Sequence, residues 1–127
     1  MKPITEEDVI KLLNEGNFEL KSTHDRLSIP IINRLYLKMA TGIRFSNIKV
    51  ADDLIIDGHH RYIASLLANK DLGRDPSICT SAIIVTDWHL IQFVDQDWDT
   101  EAKIKMLNEE DAKYNSVRVE EIAELLK

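Results

Sequence analysis

The sequence contains a single cysteine and no long apolar segment. Because Cys79 has no second cysteine to pair with, an internal disulfide is excluded, and the thiolate pairs common in structural zinc sites are missing. No apolar run approaches the roughly 20 residues that span a bilayer, and residues 1–7 contain no apolar signal core. These absences predict a cytoplasmic protein that has no contact with a membrane.

Spacings typical of metal ligands are also absent. The sequence has no His-x-x-x-His and no Cys-x-x-Cys, and its histidines are scattered along the chain. Asp95, Asp97 and Asp99 alternate, but they lack the glycine and the terminal glutamate of an EF-hand loop. We therefore expect no metal ligands among the site residues.

A strongly basic surface is absent as well. The formal net charge is −6 at pH 7 and the sequence pI is about 5.2, which argues against a protein that binds duplex DNA through its phosphates. Residues 95–127 hold five basic and ten acidic side chains, whereas residues 21–74 hold nine Lys/Arg against five Asp/Glu. The local basic excess favours a small anionic ligand.

Length and composition are those of one globular domain. A chain of 127 residues can bury a core without disulfides, and its 44% hydrophobic and 30% charged content is close to the globular average. We expect residues 1–127 to form a single domain in which residues 99–127 are an acidic helical C-terminal extension.

Apolar periodicity and turn signals predict the elements. Helices are expected over residues 6–15 and 31–40, from about residue 59 with no breaker until Gly73, from a cap at Thr100 to about residue 114, and over residues 119–126. Strands are expected over residues 18–22, 48–50, 54–56, 81–85 and 90–94, with a loop at Asp75-Pro76. Their order predicts an α+β (α/β-like) fold with a small mixed sheet and flanking helices.

The string Asp57-Gly58-His59-His60-Arg61 joins a predicted strand to a predicted helix and has the composition of an anion site. A helix that begins here leaves backbone N–H groups unpaired at the positive end of its dipole, and Gly58 removes a side chain that would hold a phosphate away. Arg61 can make paired hydrogen bonds to phosphate, and His59 and His60 add donors of adjustable charge. Asp57 can orient a histidine, cap the helix or help to hold Mg²⁺.

The same residues also fit a purely structural turn. Asp-Gly is common in turns, adjacent histidines can occur without a function, and Arg61 can simply pair with a surface carboxylate. Taken alone, these residues leave both interpretations open.

The string from Asp57 to Tyr62, followed by Ala64, resembles the Gly-x-His-Arg box of the ParB/sulfiredoxin-like superfamily, which includes the ParB-like nuclease domain. The similarity continues upstream into residues 46–50, which resemble the strand before that box, and it covers about residues 27–86. It implies a small α/β fold whose box binds nucleotide phosphates for DNA clamping, sulfinic acid reduction, phosphoryl transfer or nuclease activity.

The resemblance implies ATP or CTP with Mg²⁺ as the ligand. It points to Gly58, His60 and Arg61 as the binding residues and to His59, His60 and Asp57 as the catalytic residues. Sulfiredoxins carry a cysteine where this sequence has His59, and partitioning proteins continue into a helix-turn-helix domain that is not seen here. Peroxiredoxin repair and centromere binding are therefore not expected, and a nuclease is the weakest of the alternatives.

Two hypotheses of function follow. In the first, the chain is a nucleotide-binding protein with phosphoryl-transfer or nucleotide-hydrolysis activity, in which Arg61 stabilises the transferred charge and a histidine is the acid or base. In the second, it is an acidic immunity protein or antitoxin that binds and neutralises a toxin through its C-terminal helices, and the box is retained as a structural turn.

Overall fold

The computed structural model describes residues 2–79 and 83–127, and these residues form a small mixed α/β protein with two small sheets. This confirms the coarse fold class. Among the described residues, no helix combines the length and the apolar character needed to cross a bilayer. The elements are α1 (Glu6–Glu15), β1 (Arg26–Ser28), α2 (Ile29–Ala40), β2 (Ile48–Ala51), β3 (Leu54–Asp57), α3 (His59–Ala68), β4 (Arg74–Pro76), a 3₁₀ turn (Trp88–Leu90), β5 (Gln92–Val94), α4 (Glu101–Asn115) and α5 (Val119–Leu125).

One sheet has the strand order β3-β2-β4 and the other consists of β1 and β5. β2 and β3 form the expected antiparallel hairpin, whereas β4 runs parallel to β2 and β5 runs parallel to β1. Single bridges join Lys21 to Leu54 and Ser22 to Thr86. The segment that contains Lys21 and Ser22 therefore connects the hairpin to the chain that precedes β5.

Side-chain caps explain where the helices begin. At the start of α1, the Asp8 N–H donates to Thr5 Oγ1 at 3.3 Å, and the Thr5 N–H donates to the Asp8 carboxylate at 2.8 Å. Ser28 caps α2 by accepting from the Ile31 N–H at 3.4 Å, so this helix begins at Ile29 rather than at residue 31. Such caps satisfy N–H groups that have no partner within the helix.

Three predictions of local structure from the sequence need correction. The loop predicted at Asp75-Pro76 is wrong, because both residues belong to β4, an edge strand in which a proline is tolerated. The strand predicted over residues 18–22 is reduced to single bridges. In the prediction over residues 81–85, residues 81–82 lie outside the described residues, and residues 83–85 have no regular structure.

The core is built around α3, which packs most extensively against α2. Ile63 and Ala64 are fully buried, and Tyr62 is 4% exposed. The Tyr62 hydroxyl accepts from the Leu20 N–H at 3.3 Å, and Trp88 Nε1 donates to the Leu20 carbonyl at 2.8 Å. One side of α3 is thereby fixed to the segment between α1 and β1.

The C-terminal helices are attached to α2 by a buried ion pair. Lys38 is 3% exposed, and its Nζ lies 2.6 Å from the Asp111 carboxylate. Ile122 of α5 is fully buried. Moving α4 away from α2 would leave the buried charge of Lys38 without its partner, which is unfavourable. The ion pair therefore holds α4 against α2.

The turn between β3 and α3 requires a glycine for two reasons. Gly58 has φ +103°, a left-handed conformation that disfavours other residues. A Cβ at this position would also collide with the Cγ2 atom of Ile48 and lie 2.9 Å from its Cβ. Because Ile48 is fully buried in β2, it has little freedom to move away.

We predict that Gly58→Ala lowers the free energy of unfolding by about 2–4 kcal/mol, since left-handed strain adds to overpacking against Ile48. Gly42→Ala is the matched control, because Gly42 has φ +100° but nothing lies within 4 Å of its Cβ position. Gly42→Ala should lower the free energy of unfolding by only about 1–2 kcal/mol, the cost of the left-handed conformation without overpacking. Urea unfolding followed by circular dichroism measures both losses, and equal losses would contradict the role given to Ile48.

Candidate functional site

Residues 57–61, which we call the elbow, link β3 to α3 as the sequence predicts. The Tyr62 N–H donates to the Gly58 carbonyl at 2.9 Å and closes the first turn of α3. Gly58 supplies no side-chain cap. The positive end of the helix dipole is therefore not neutralised by a capping side chain.

His59 is directed into the protein and is 2% exposed. Its Nε2 accepts from the Thr23 N–H at 3.0 Å and lies 3.3 Å from Thr23 Oγ1, which donates to the Ile55 carbonyl at 2.6 Å. The ring stacks on His24 with centroids 3.9 Å apart. Since Nε2 accepts, the proton lies on Nδ1, which is buried and has no hydrogen-bond partner among the described residues.

His60 is directed towards the start of α2. Its Nε2 accepts from the Ser28 N–H at 3.0 Å, and its ring meets Trp98 edge-on with centroids 5.4 Å apart. Ser28 also donates through Oγ to the Gln96 carbonyl at 2.8 Å. His60 thus joins α3 to the junction of β1 and α2.

Burial, together with repulsion by the neighbouring His24 and His60, lowers the pKa of His59 to about 3. Burial also lowers the pKa of His60 to about 4, with repulsion by His24 only partly offset by Asp99. Both imidazoles are neutral at pH 7. The expectation that they supply donors of adjustable charge to an anion therefore needs correction, because each Nε2 already accepts a backbone hydrogen bond.

One terminal nitrogen of the Arg61 guanidinium is hydrogen-bonded, and the other is in an ion pair with Asp57. Nη1 donates to the carbonyl of Ser46 at 2.9 Å and to its Oγ at 3.0 Å. Nη2 lies 3.7 Å from the Asp57 carboxylate, beyond hydrogen-bond distance, and 3.1 Å from the position that a Cβ of Gly58 would occupy. Nη2 therefore lies at the elbow and makes no hydrogen bond to a described residue.

A cleft of about 660 Å³ adjoins the elbow on its histidine side. Ile56, which precedes the elbow, lines this cleft together with His24, Arg26 and the half-exposed Trp98. In the described part of the chain, the Arg26 side chain makes no ion pair. His24 and Arg26 belong to no motif, so residue type and spacing do not identify them as residues of this site.

Arg34 of α2 holds the segment that carries Trp98. Its Nη1 lies 2.6 Å from the Asp97 carboxylate, and its Nη2 lies 3.1 Å from that of Asp99. The hydrogen bond from Arg34 holds the pKa of Asp97 below its usual value. Two acidic side chains of the C-terminal region are thus used within the protein.

Asp57 is the single carboxylate of the elbow, and it is 74% exposed. Among residues 2–79 and 83–127, no group of three or more His, Cys, Asp and Glu side chains could hold a metal ion. Mg²⁺ readily keeps several waters and needs only one or two carboxylates besides phosphate oxygens. Asp57 therefore fits a nucleotide-bound Mg²⁺ and does not fit a metal held by protein alone.

No family model, curated protein or solved structure matches the chain. The similarity of residues 57–64 to the ParB/sulfiredoxin-like box therefore stays a prediction from sequence. The function has to be argued from the geometry of the elbow and of the surfaces around it.

The two buried histidines should make the protein sensitive to acid. In the unfolded chain histidine binds a proton near pH 6.5, whereas the folded pKa values are about 3 for His59 and 4 for His60. Their contribution is complete above pH 6.5 and is lost progressively as the pH falls towards the folded pKa values of about 4 and 3. We expect the free energy of unfolding at pH 4.5 to be lower than at pH 7, with the two histidines together responsible for a loss on the order of 5 kcal/mol.

The contribution of the histidines is isolated by comparing the wild type with His59→Gln/His60→Gln in urea titrations at both pH values. The double variant should lose less stability on acidification. His89→Gln is the control, because His89 is exposed and makes neither backbone hydrogen bond. A double variant as acid-sensitive as the wild type would contradict this assignment.

Proposed function

We propose that the elbow binds the phosphate groups of a nucleotide, with ATP and CTP as the candidates that the ParB-like box implies. The observation that carries the proposal is the guanidinium of Arg61, whose Nη1 is fixed to Ser46 while Nη2 lies beside Gly58. Nη2 makes no hydrogen bond to a described residue and only a 3.7 Å ion pair to the exposed Asp57, a partner that a phosphate group can replace. A guanidinium that is already held in place loses little freedom when it binds a phosphate oxygen. The positive end of α3 adds to the attraction.

In this proposal the histidines position the elbow. His59 and His60 hold the backbone N–H groups of Thr23 and Ser28, and both rings are neutral at pH 7. We therefore infer a binding protein or switch rather than an enzyme that uses histidine as its acid or base. For phosphoryl transfer or hydrolysis, the remaining elbow carboxylate, Asp57, is the candidate base.

The adjoining cleft supports the nucleotide over free phosphate as the ligand. The rings of Trp98 and His24 offer surfaces for a base, and stacking on an aromatic side chain contributes about 1–3 kcal/mol per base. Arg26 adds a cation to the lining of the cleft, beside the carboxylate of Asp25. A ligand with phosphates at the elbow and a base in the cleft would use both features.

We predict that calorimetric titration with ATP, CTP, GTP and UTP in the presence of Mg²⁺ shows at least one of them binding at micromolar to millimolar affinity. Arg61→Gln should weaken that binding at least tenfold, about 1.4 kcal/mol or more, through loss of the charged donor. Ser46→Ala removes one bond that holds Arg61 and should lower stability more than affinity. Arg118→Gln, an exposed arginine beside α5, should change neither.

Thermal unfolding shows whether each variant is folded under the titration conditions. Failure of all four nucleotides to bind the folded wild type would overturn the proposal. An unchanged affinity in folded Arg61→Gln would remove the elbow as the binding site.

A second function, binding of a basic protein partner such as a toxin, is supported by the surface of α4 and α5. These helices expose carboxylates that make no ion pair within the described part of the chain, namely Glu101, Glu109, Glu110 and Glu120. Carboxylates with no partner of their own are available for complementary charges. An immunity protein or antitoxin would use them while the box serves as a structural turn.

We predict that, if a neighbouring gene encodes a toxin, its product copurifies with this protein and that Glu109→Lys/Glu110→Lys weakens the complex at least tenfold. The effect should grow at low salt, where charges are least screened. Glu15→Lys at the end of α1 is the control, because it changes an exposed carboxylate on another helix. A complex equally sensitive to both changes would count against α4 as the binding surface.

A further inference from the structure

A cavity of about 420 Å³ lies at the opposite end of α3 from the elbow. Residues 42–45 after α2, residues 70–73 after α3 and Tyr114 of α4 enclose it. Its volume is within the range of small-molecule sites. It shares no lining residue with the elbow or with the cleft beside the elbow.

The charged side chains of this cavity favour an anion. Arg44 and Lys70 line it, and within the described residues neither charged group has an ion pair or a hydrogen bond. Asp71 is the single carboxylate in the lining, so the three side chains together carry +1. Cations without partners at one cavity attract a negative ligand, because its charge is not already matched by the protein.

The apolar walls favour a flat ligand. Phe45 and Tyr114 present aromatic rings to the cavity, and Leu72 adds an aliphatic surface. Tyr114 is 56% exposed although it belongs to α4, so most of its ring is not used in packing the fold. Aromatic side chains hold planar groups by stacked or edge-on contacts.

The walls are fixed by contacts within the protein. Asn115 accepts from the Arg44 N–H at 2.7 Å and donates through Nδ2 to the Arg44 carbonyl at 2.9 Å. The same Nδ2 donates to the Asp111 carbonyl at 2.8 Å, and Asp111 holds buried Lys38 of α2. The backbone that carries Arg44 is thus tied to α4, which lowers the entropy lost on binding.

We propose that this cavity binds a small planar organic anion, an aromatic or heterocyclic ring that bears a carboxylate or a phosphate group. The acid group pairs with Arg44 and Lys70, and the ring lies against Phe45 and Tyr114. This site is independent of the elbow and does not rely on the function proposed there.

The test is a titration of the isotope-labelled full chain, followed by amide NMR without Mg²⁺, with naphthoate and with naphthyl phosphate as the planar carboxylate and phosphate. Saturable shifts should include residues 42–45, 70–73 and the end of α4, and these shifts should persist in Arg61→Gln. Arg44→Gln/Lys70→Gln should weaken binding at least tenfold, and the neutral naphthamide should bind at least tenfold more weakly than naphthoate. Lys105→Gln/Lys113→Gln, which removes two exposed cations of α4 outside the cavity lining, should leave the affinity unchanged.

Two single variants separate this site from structural effects and from the elbow. Tyr114→Ala should weaken binding at least threefold while the amide spectrum remains that of a folded protein. Arg61→Gln should leave the affinity of the cavity for the probes unchanged. Binding of one probe alone would support the proposal and identify the acid group. The proposal would be overturned if neither probe caused saturable shifts of the cavity residues, or if Arg44→Gln/Lys70→Gln bound the probes with the affinity of the wild type.

Discussion

The structure depends on two neutral imidazoles that accept hydrogen bonds from the backbone. His59 receives the Thr23 N–H and His60 receives the Ser28 N–H, so consecutive residues of one helix hold both the chain before β1 and the end of β1. Each ring must stay uncharged to accept, and burial ensures this by making the imidazolium unfavourable. Arg61 ties the same helical turn to Ser46 on the other side. The shape of the elbow is therefore set by three separate segments before any ligand binds.

The parts of the fold that could be predicted from the sequence are those with local causes. α1 begins at a capping box and α4 begins after Thr100, both of which are visible in the sequence. The hairpin of β2 and β3 surrounds a turn signal. By contrast, β4 exists because it pairs in parallel with β2, a contact between segments about 25 residues apart that no local pattern reveals. Its Asp75-Pro76 pair is typical of a loop unless the edge position is known.

The same division applies to the candidate site. The position of the elbow follows from a strand, a glycine and a helix in succession, but the partners of its side chains are set by tertiary packing. His59 and His60 are adjacent in sequence and meet different segments, whereas Arg61 meets a third. The acidic C-terminal region also divides, because Asp97 and Asp99 bind Arg34 and Asp111 binds Lys38, while the glutamates of α4 remain exposed. Residue type and spacing could not distinguish the carboxylates that hold the fold together from those that face solvent.

The chain has two tryptophans, and the fold gives them different environments. Trp88 is buried and donates to the Leu20 carbonyl, whereas Trp98 is 43% exposed, lines the cleft and touches the ring of His60. Arg34 fixes the segment around Trp98 through Asp97 and Asp99. The protein therefore carries two intrinsic fluorophores with distinct roles: emission from Trp88 reports the integrity of the core, and emission from Trp98 reports events at the cleft. Single Trp→Phe replacements would separate the two signals without an attached dye.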